Sequence, residues 1–432
     1  MIDREFVRVA LFGLCTAFLS ALATTPVAAQ MASPDRPVQR STMSAADLDR
    51  IAATARPRQP SRAALPGVMS AQAPMIAPAE SGEAPRATAG FAGVPVRSMV
   101  DEREYRAMVE AATAARDGAA TTQSDGISAQ NYGQNFQDTI YHYSDRLVSP
   151  RPYYAPERSV GLLLFQAQDT NWYICTATLI QRAIILTAGH CVYEGGTGND
   201  TGWNLQGYFI PAYSATDGSA TGTNQPYGRC DIDRWFTTND WYNTGALNGG
   251  YDVGLATCGR LHDARWSANN NRFPGGRAGY LGFCYQNCRW NYQFLTQLGY
   301  PSNYYAAGEM TVSQHLEVSG QPDPYNPGWV GLDYIFGSGM RGGSSGGPHI
   351  ANLGEIVDSA TDPGQFPDRN TIFAVTSWGY GLGNSSGTEI KIQGASPLSG
   401  VANANNFVDL FNAACRRSRA HFGAWTCDLL VP

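Results

Sequence analysis

The chain has 432 residues, a formal net charge of −6 and only 15% charged residues, room for one large domain or two lobes with extra segments. No basic stripe interrupts this acidic balance, which excludes nucleic acid as a partner class. Beyond the first thirty residues no stretch is long and apolar enough to span a bilayer, so no membrane anchor is expected.

Residues 1–29 read as a secretion signal. Arg4 and Arg8 precede an apolar stretch from Val9 to Leu22, and Val27-Ala28-Ala29 supplies a cleavage site. Residues 30–150 are rich in Ala, Pro, Ser, Thr and Gly and are expected to be a flexible, low-complexity region or a propeptide. Two short helices are predicted within it. Ser44 caps one from Ala45 to Ala53, with Leu48 and Ile51 on one face. The other runs from Asp101 to Arg116, where Tyr105, Met108, Val109 and Ala112 fall at helical spacing.

The texture changes near residue 155. Val160 to Phe165, Tyr173 to Ile180, Ala183 to Leu186, Phe294 to Leu298 and Ile372 to Trp378 read as short strands between turns rich in Gly, Asn and Pro. Many short strands without intervening helices indicate an all-β barrel or sandwich. Near the end, Asn405 or Asn406 caps a helix over about 405–421 that carries Phe407, Leu410, Phe411 and Ala414.

Eight cysteines remain after Cys15 of the signal is removed, and an even number in an exported chain points to disulfides. Cys175 and Cys191, sixteen residues apart, would close a hairpin. Cys230 with Cys258 would brace the segment around Asp252, and Cys415 with Cys427 would tie down the terminal helix. Cys284 and Cys288 would close a small loop or pair elsewhere. No metal site and no cofactor are expected.

Three motifs carry chemistry. Thr187-Ala188-Gly189-His190-Cys191 sets a histidine at the end of a buried strand, a setting that the other five histidines lack. Gly250-Tyr251-Asp252-Val253-Gly254 offers a carboxylate able to hold one tautomer of an imidazole. Asp231, Asp233 and Asp240 compete for that role but read as solvated charges in a polar loop. Gly343-Ser344-Ser345-Gly346-Gly347-Pro348 leaves a serine hydroxyl uncrowded and lets N–H groups converge.

In the order His190, Asp252, Ser345 these motifs resemble the chymotrypsin-like (trypsin-fold) serine peptidases, in particular the bacterial secreted branch that includes the glutamyl endopeptidases. Gly299-Tyr300-Pro301 and Ser377-Trp378-Gly379 add to the likeness, which covers about residues 155–432. The resemblance implies two antiparallel six-stranded Greek-key β-barrels, at about 155–266 and 279–400, with a crossover near 267–279, a closing C-terminal helix and the site between the barrels. It implies a serine endopeptidase, secreted or periplasmic, that cleaves protein or peptide substrates through an acyl-enzyme. His190, Asp252 and Ser345 are then the catalytic residues, with Ser345 favoured over Ser344 by the G-x-S-G-G frame. The N–H groups of Gly343 and Ser345 hold the oxyanion, and Gly339, Ser377, Trp378 and Gly379 contact substrate. The propeptide would act as an intramolecular inhibitor or chaperone, making the chain a zymogen.

Two departures from the pattern shape the expectations. Gly339 stands where a pocket for Arg or Lys would carry an aspartate, and Thr376-Ser377 precede Trp378 where glutamyl endopeptidases place a histidine. A neutral primary pocket follows, with trypsin-like or glutamyl specificity as the alternatives. Ser344 is uncharged and cannot pair with a new N-terminal ammonium, so such an ion pair is not the expected activation switch. A non-catalytic binding protein on the same fold is the competing class, with Trp235-Phe236 and Trp241-Tyr242 as recognition loops.

Overall fold

The computed structural model describes residues 30–35, 43–58, 86–88, 90, 143–148, 155–215, 224–262, 273–286, 288, 293–319, 322–323, 326–330, 333–354, 370–379, 391–398 and 406–430. The expected signal peptide, the helix over 101–116 and residues 267–272 of the crossover lie outside the described residues. The N-terminal region contributes β1 (Gln30–Ala32), α1 (Ala45–Thr54), β2 (Arg56–Pro57), β3 (Arg86–Ala87) and β4 (Tyr143–Leu147).

The first barrel follows as β5 (Val160–Gln166), β6 (Trp172–Gln181), β7 (Ile184–Thr187), β8 (Gln206–Pro211), β9 (Arg229–Thr238), α2 (Asn239–Thr244) and β10 (Gly254–His262). Its strands run in the order β9-β10-β7-β6-β5-β8, and antiparallel pairing of β8 with β9 closes the ring. β5 reads as a continuous apolar run because both of its faces are covered. Leu162 and Leu164 enter one buried cluster, and Leu163 and Phe165 on the opposite face enter another. Burying one such side chain contributes about 1.5–3 kcal/mol.

α3 (Pro274–Ala278) leads into the second sheet. It comprises β11 (Gly282–Gln286), β12 (Gln293–Gly299), β13 (Thr311–Ser319), β16 (Tyr334–Gly337), β17 (Pro348–Ala351), β18 (Thr371–Gly379) and β19 (Ile392–Pro397). The small pair β14 (Pro322–Asp323) and β15 (Asn326–Val330) lies apart from it. The order β17-β12-β13-β16-β19-β18 curls on itself through the antiparallel pairing of β17 with β18. The fold is therefore all-β with two curled sheets, as expected of the trypsin fold.

α4 (Asn406–Phe422) closes the chain. Phe407, Leu410, Phe411, Ala414 and Cys415 are buried, a spacing that places them on one helix face. Phe283 meets that face, with ring centroids 5.4 Å from Phe407 and 5.1 Å from Phe411. Four disulfides form, Cys175–Cys191, Cys230–Cys258, Cys284–Cys288 and Cys415–Cys427.

Much of the described N-terminal region packs on the barrels, where a flexible segment was expected. The α1 helix begins at a capping box between Ser44 and Asp47 and buries Leu48 and Ala52, a cap that contributes roughly 1 kcal/mol. β1 pairs with β9, β2 with β6, β3 with β11 and β4 with β13. Such short strands escape pattern reading because the edge they join, not their own composition, decides the pairing.

The aspartates expected in a polar loop belong to structured elements. Asp231 and Asp233 lie in β9 and Asp240 in the first turn of α2. Asp233 takes two bonds from Arg417 of α4, both 2.9 Å. Burial pushes its carboxyl up, but the bonds from Arg417 and Thr257 outweigh this and hold it below the usual range. Trp235, Phe236, Trp241 and Tyr242 are buried, so these aromatic residues form core and not the recognition loops considered above.

Candidate active site

The β7 strand ends at Thr187, and one helical turn over Gly189–Cys191 carries His190. Cys191 binds that turn to Cys175 in β6. Asp252 lies two residues before β10, which pairs with both β7 and β9. Its carboxylate is fully buried. Oδ1 accepts the His190 backbone N–H at 2.7 Å, and Oδ2 meets His190 Nδ1 at 2.8 Å. Ser377 Oγ donates to the same Oδ2 at 2.6 Å. The expected substrate contact Ser377 thus reaches across from β18 to hold the carboxylate from the second barrel.

With Nδ1 donating to Asp252, His190 Nε2 is left as an acceptor. That nitrogen is buried and makes no hydrogen bond among the described residues, Ser345 Oγ included. An open bond of this kind is common in sites without substrate. Trp241 packs beside the imidazole, with ring centroids 6.4 Å apart.

The serine loop is clamped by the first barrel. Thr176 of β6 donates its N–H to the Ser345 carbonyl and its hydroxyl to the Gly343 carbonyl, both at 2.8 Å. Gly346 N–H reaches the Thr376 carbonyl at 2.7 Å. Gly343 has φ of 101° and a Cβ there would stand 2.4 Å from the Tyr300 carbonyl oxygen, so only glycine fits this turn. Ser344 spends its hydroxyl on the Arg341 carbonyl at 2.8 Å, which leaves Ser345, 7% exposed, as the serine with no such backbone tie among the described residues.

Trp378 and Gly379 follow Ser377 at the end of β18. Trp378 is buried and donates its indole N–H to Asp333 at 2.8 Å, whereas Gly379 is exposed. Burial pushes the Asp333 carboxyl well above its usual range, and the nearby Asp252 charge pushes the same way. Gln393 lies against Gly379 and donates to the Met340 carbonyl. Gly339 is six residues before Ser345, and its N–H donates to Asp145 Oδ2 at 2.9 Å.

Sequence reading missed Asp145, Asp333 and a buried set behind the serine loop. There His315 Nε2 and His349 Nδ1 both meet Glu317 Oε1, the former at 2.6 Å. His349 Nε2 meets Thr376 Oγ1 at 2.9 Å, and Gln297 donates to the same hydroxyl at 2.7 Å. Burial drives the His349 pKa down to about 3 and lowers that of His315, while it raises that of Glu317. The only available signal was the alternation of His315 and Glu317 on one face of a strand.

The trypsin family model matches residues 157–226. A comparison with curated proteins gives no match. Among solved structures, the protease Anisep from Arthrobacter nicotinovorans is 22% identical, with a TM-score of 0.42, over 59% of this chain and 96% of that one. The thermostable serine protease AL20 from an extremophilic microorganism is 18% identical, with a TM-score of 0.42, over 58% and 95%. A Glu endopeptidase solved with MPD is 20% identical, with a TM-score of 0.41, over 62% and 95%. The trypsin model thus matches part of the first barrel, and the two curled sheets are those of the two-barrel trypsin fold.

Proposed function

We propose that the chain is a secreted serine endopeptidase. One observation carries the reading: a buried carboxylate, Asp252, grips both the backbone N–H and Nδ1 of His190 and leaves Nε2 as the free acceptor. Ser345 Oγ attacks the scissile carbonyl carbon while its proton passes to His190 Nε2. Collapse of the tetrahedral species breaks the C–N bond, and the imidazolium protonates the leaving amine. Water then attacks the acyl-enzyme, its proton passes to His190, and Ser345 leaves with that proton restored. Asp252 fixes the tautomer and stabilises the imidazolium. The N–H groups of Gly343 and Ser345 hold the oxyanion, and loss of such a donor costs roughly 100- to 1,000-fold.

In this reading the peptidase domain spans 151–432, residues 1–29 are a signal peptide and residues 30–150 are a propeptide or an N-terminal region that stays with the domain. Four disulfides are in keeping with an oxidising compartment. Gly339, Ser377, Trp378 and Gly379 border the primary pocket, and the Ser377 hydroxyl also steadies Asp252. A fluorophosphonate probe should label the wild type and leave Ser345→Ala unlabelled. A Ser345→Ala variant that kept most of its amidase activity would overturn the assignment.

A further inference from the structure

In a trans peptide the carbonyl and the N–H of one plane point in opposite directions, so a bond on the carbonyl aims the N–H. Two planes of the serine loop are held in this way. Ser302 N–H donates to the Gly342 carbonyl at 2.8 Å, which turns Gly343 N–H to the other side. Gly347 N–H donates to the Ser344 carbonyl at 2.8 Å, which does the same for Ser345 N–H. Among the described residues neither of those two N–H groups donates to a backbone carbonyl. They are the pair that holds the oxyanion in the peptidase reading above.

The plane between them sets their relative direction. Its N–H, that of Ser344, donates to the Arg341 carbonyl at 3.1 Å. Its carbonyl, that of Gly343, accepts from the Thr176 hydroxyl at 2.8 Å. Thr176 stands in β6 of the first barrel and is fully buried. Tyr300 N–H donates to the same hydroxyl at 2.9 Å. A backbone N–H only donates and a carbonyl only accepts, so both bonds have a fixed direction and the hydroxyl proton is committed to Gly343. Thr187, at the end of β7, donates its hydroxyl to the Thr176 carbonyl at 2.8 Å, which ties the same residue to the strand that leads to His190. Ser344 is uncharged and its hydroxyl is committed to the Arg341 carbonyl, so residue 344 offers no anion to a terminal ammonium.

We propose that Thr176 is the positioning residue that organises the oxyanion hole. Its hydroxyl does from the first barrel, through neutral hydrogen bonds, what an ion pair at residue 344 would otherwise do. The proposal rests on the peptidase reading, and Thr176 acts through the Gly343 carbonyl without touching substrate. With the hydroxyl gone, the Gly343–Ser344 plane is free to turn, and the N–H groups on either side of it no longer converge. The loss falls on the tetrahedral species, where the negative charge forms, and spares the bound substrate.

The test uses the full chain. Fluorophosphonate labelling of the wild type comes first. A failure there ends the peptidase reading itself, whereas a labelled wild type matched by its Thr176 variants ends this proposal alone. Thr176→Val keeps the branched shape and removes the hydroxyl. Its kcat on a peptide amide should fall by about 10- to 100-fold, short of the roughly 100- to 1,000-fold for a donor removed outright, with KM little changed. Thr176→Ser, which keeps the hydroxyl, should recover most of the loss. A peptidyl trifluoromethyl ketone labelled at its carbonyl carbon takes Ser345 Oγ to form a hemiketal, the serine proton passing to His190. The NMR shift of that carbon follows titration of the oxyanion, whose pKa should rise by about one to two in Thr176→Val, one for each tenfold. A Thr176→Val enzyme with wild-type kcat and wild-type oxyanion titration overturns the proposal. So does a Thr176→Ser variant as impaired as Thr176→Val, since the effect then belongs to packing of the methyl group. Should Thr176→Val fail to fold, acetylating the α-amino group of the wild type still decides. A kcat that survives loss of that charge supports a neutral organiser, and a kcat that collapses makes a terminal ammonium the organiser and refutes the proposal.

Discussion

Replacing Asp252 with asparagine isolates what the carboxylate does, because the side chain keeps its shape while one oxygen becomes an amide NH2. Three donors converge on Asp252: the His190 backbone N–H at 2.7 Å, His190 Nδ1 at 2.8 Å and Ser377 Oγ at 2.6 Å. If the amide NH2 took the place of Oδ1 it would face a backbone N–H that cannot reverse, stranding a buried donor at roughly 1–3 kcal/mol. The favoured orientation puts NH2 in place of Oδ2. The Ser377 hydroxyl can rotate to accept. His190 can accept at Nδ1 only by moving its proton to Nε2, the atom needed as the base. The expected result is a fall in kcat of about ten-thousandfold, equivalent to about 5 kcal/mol of barrier, with KM little changed. Steady-state amidase kinetics on a variant whose circular dichroism matches the wild type would measure it. A loss under tenfold, or one confined to KM, would refute the tautomer argument.

Two further outcomes follow from features around the site. Replacing both Cys175 and Cys191 with alanine, in a Ser345→Ala background that prevents self-digestion, should lower unfolding free energy by about 3 kcal/mol, the worth of a loop of this length. The same double change with Ser345 intact should slow fluorophosphonate labelling, since the bridge binds the His190 turn to β6. The second outcome concerns acid. His349 has a folded pKa lowered to about 3 from 6.5, so its contribution to stability is full above pH 6.5 and is lost as pH falls toward 3. His315 acts in the same sense, and the raised Glu317 carboxyl acts against both. Urea unfolding of Ser345→Ala should therefore weaken on acidification below pH 6.5. Adding His349→Gln should flatten the slope by up to about 1.4 kcal/mol per pH unit; parallel pH profiles would contradict this.

The parts of the molecule that were legible in the sequence share one property: their evidence is local. β5, β6 and β7 announce themselves through apolar runs whose two faces are both buried, and α4 through the spacing of Phe407, Leu410, Phe411 and Ala414. His190, Asp252 and Ser345 stand in short distinctive motifs, and the first two are in contact. What escaped depends on distant partners. Asp145 lies in a strand of five residues where Tyr143, Asp145 and Leu147 alternate with exposed Ser144 and Arg146, a weak signal in a segment otherwise poor in apolar residues. Its carboxylate is tied to Gly339, and no local pattern links the two. Asp233 was misread for the same reason, since Arg417 lies 184 residues further on. The roles of Thr176 and Ser377 are cross-barrel hydrogen bonds, which no pattern within one strand announces.

The N-terminal strands bear on what counts as the ends of this protein. β1, β2 and β3 are held by β9, β6 and β11, and the Met43 and Ser33 carbonyls accept from Arg229 and Arg234. A single backbone cut between Pro57 and Arg86 would break none of these pairings. The molecule would migrate as two fragments once denatured and as one particle before. Covalent continuity and membership of the folded unit are then separate properties, and a terminus read by chemical sequencing would report only the first.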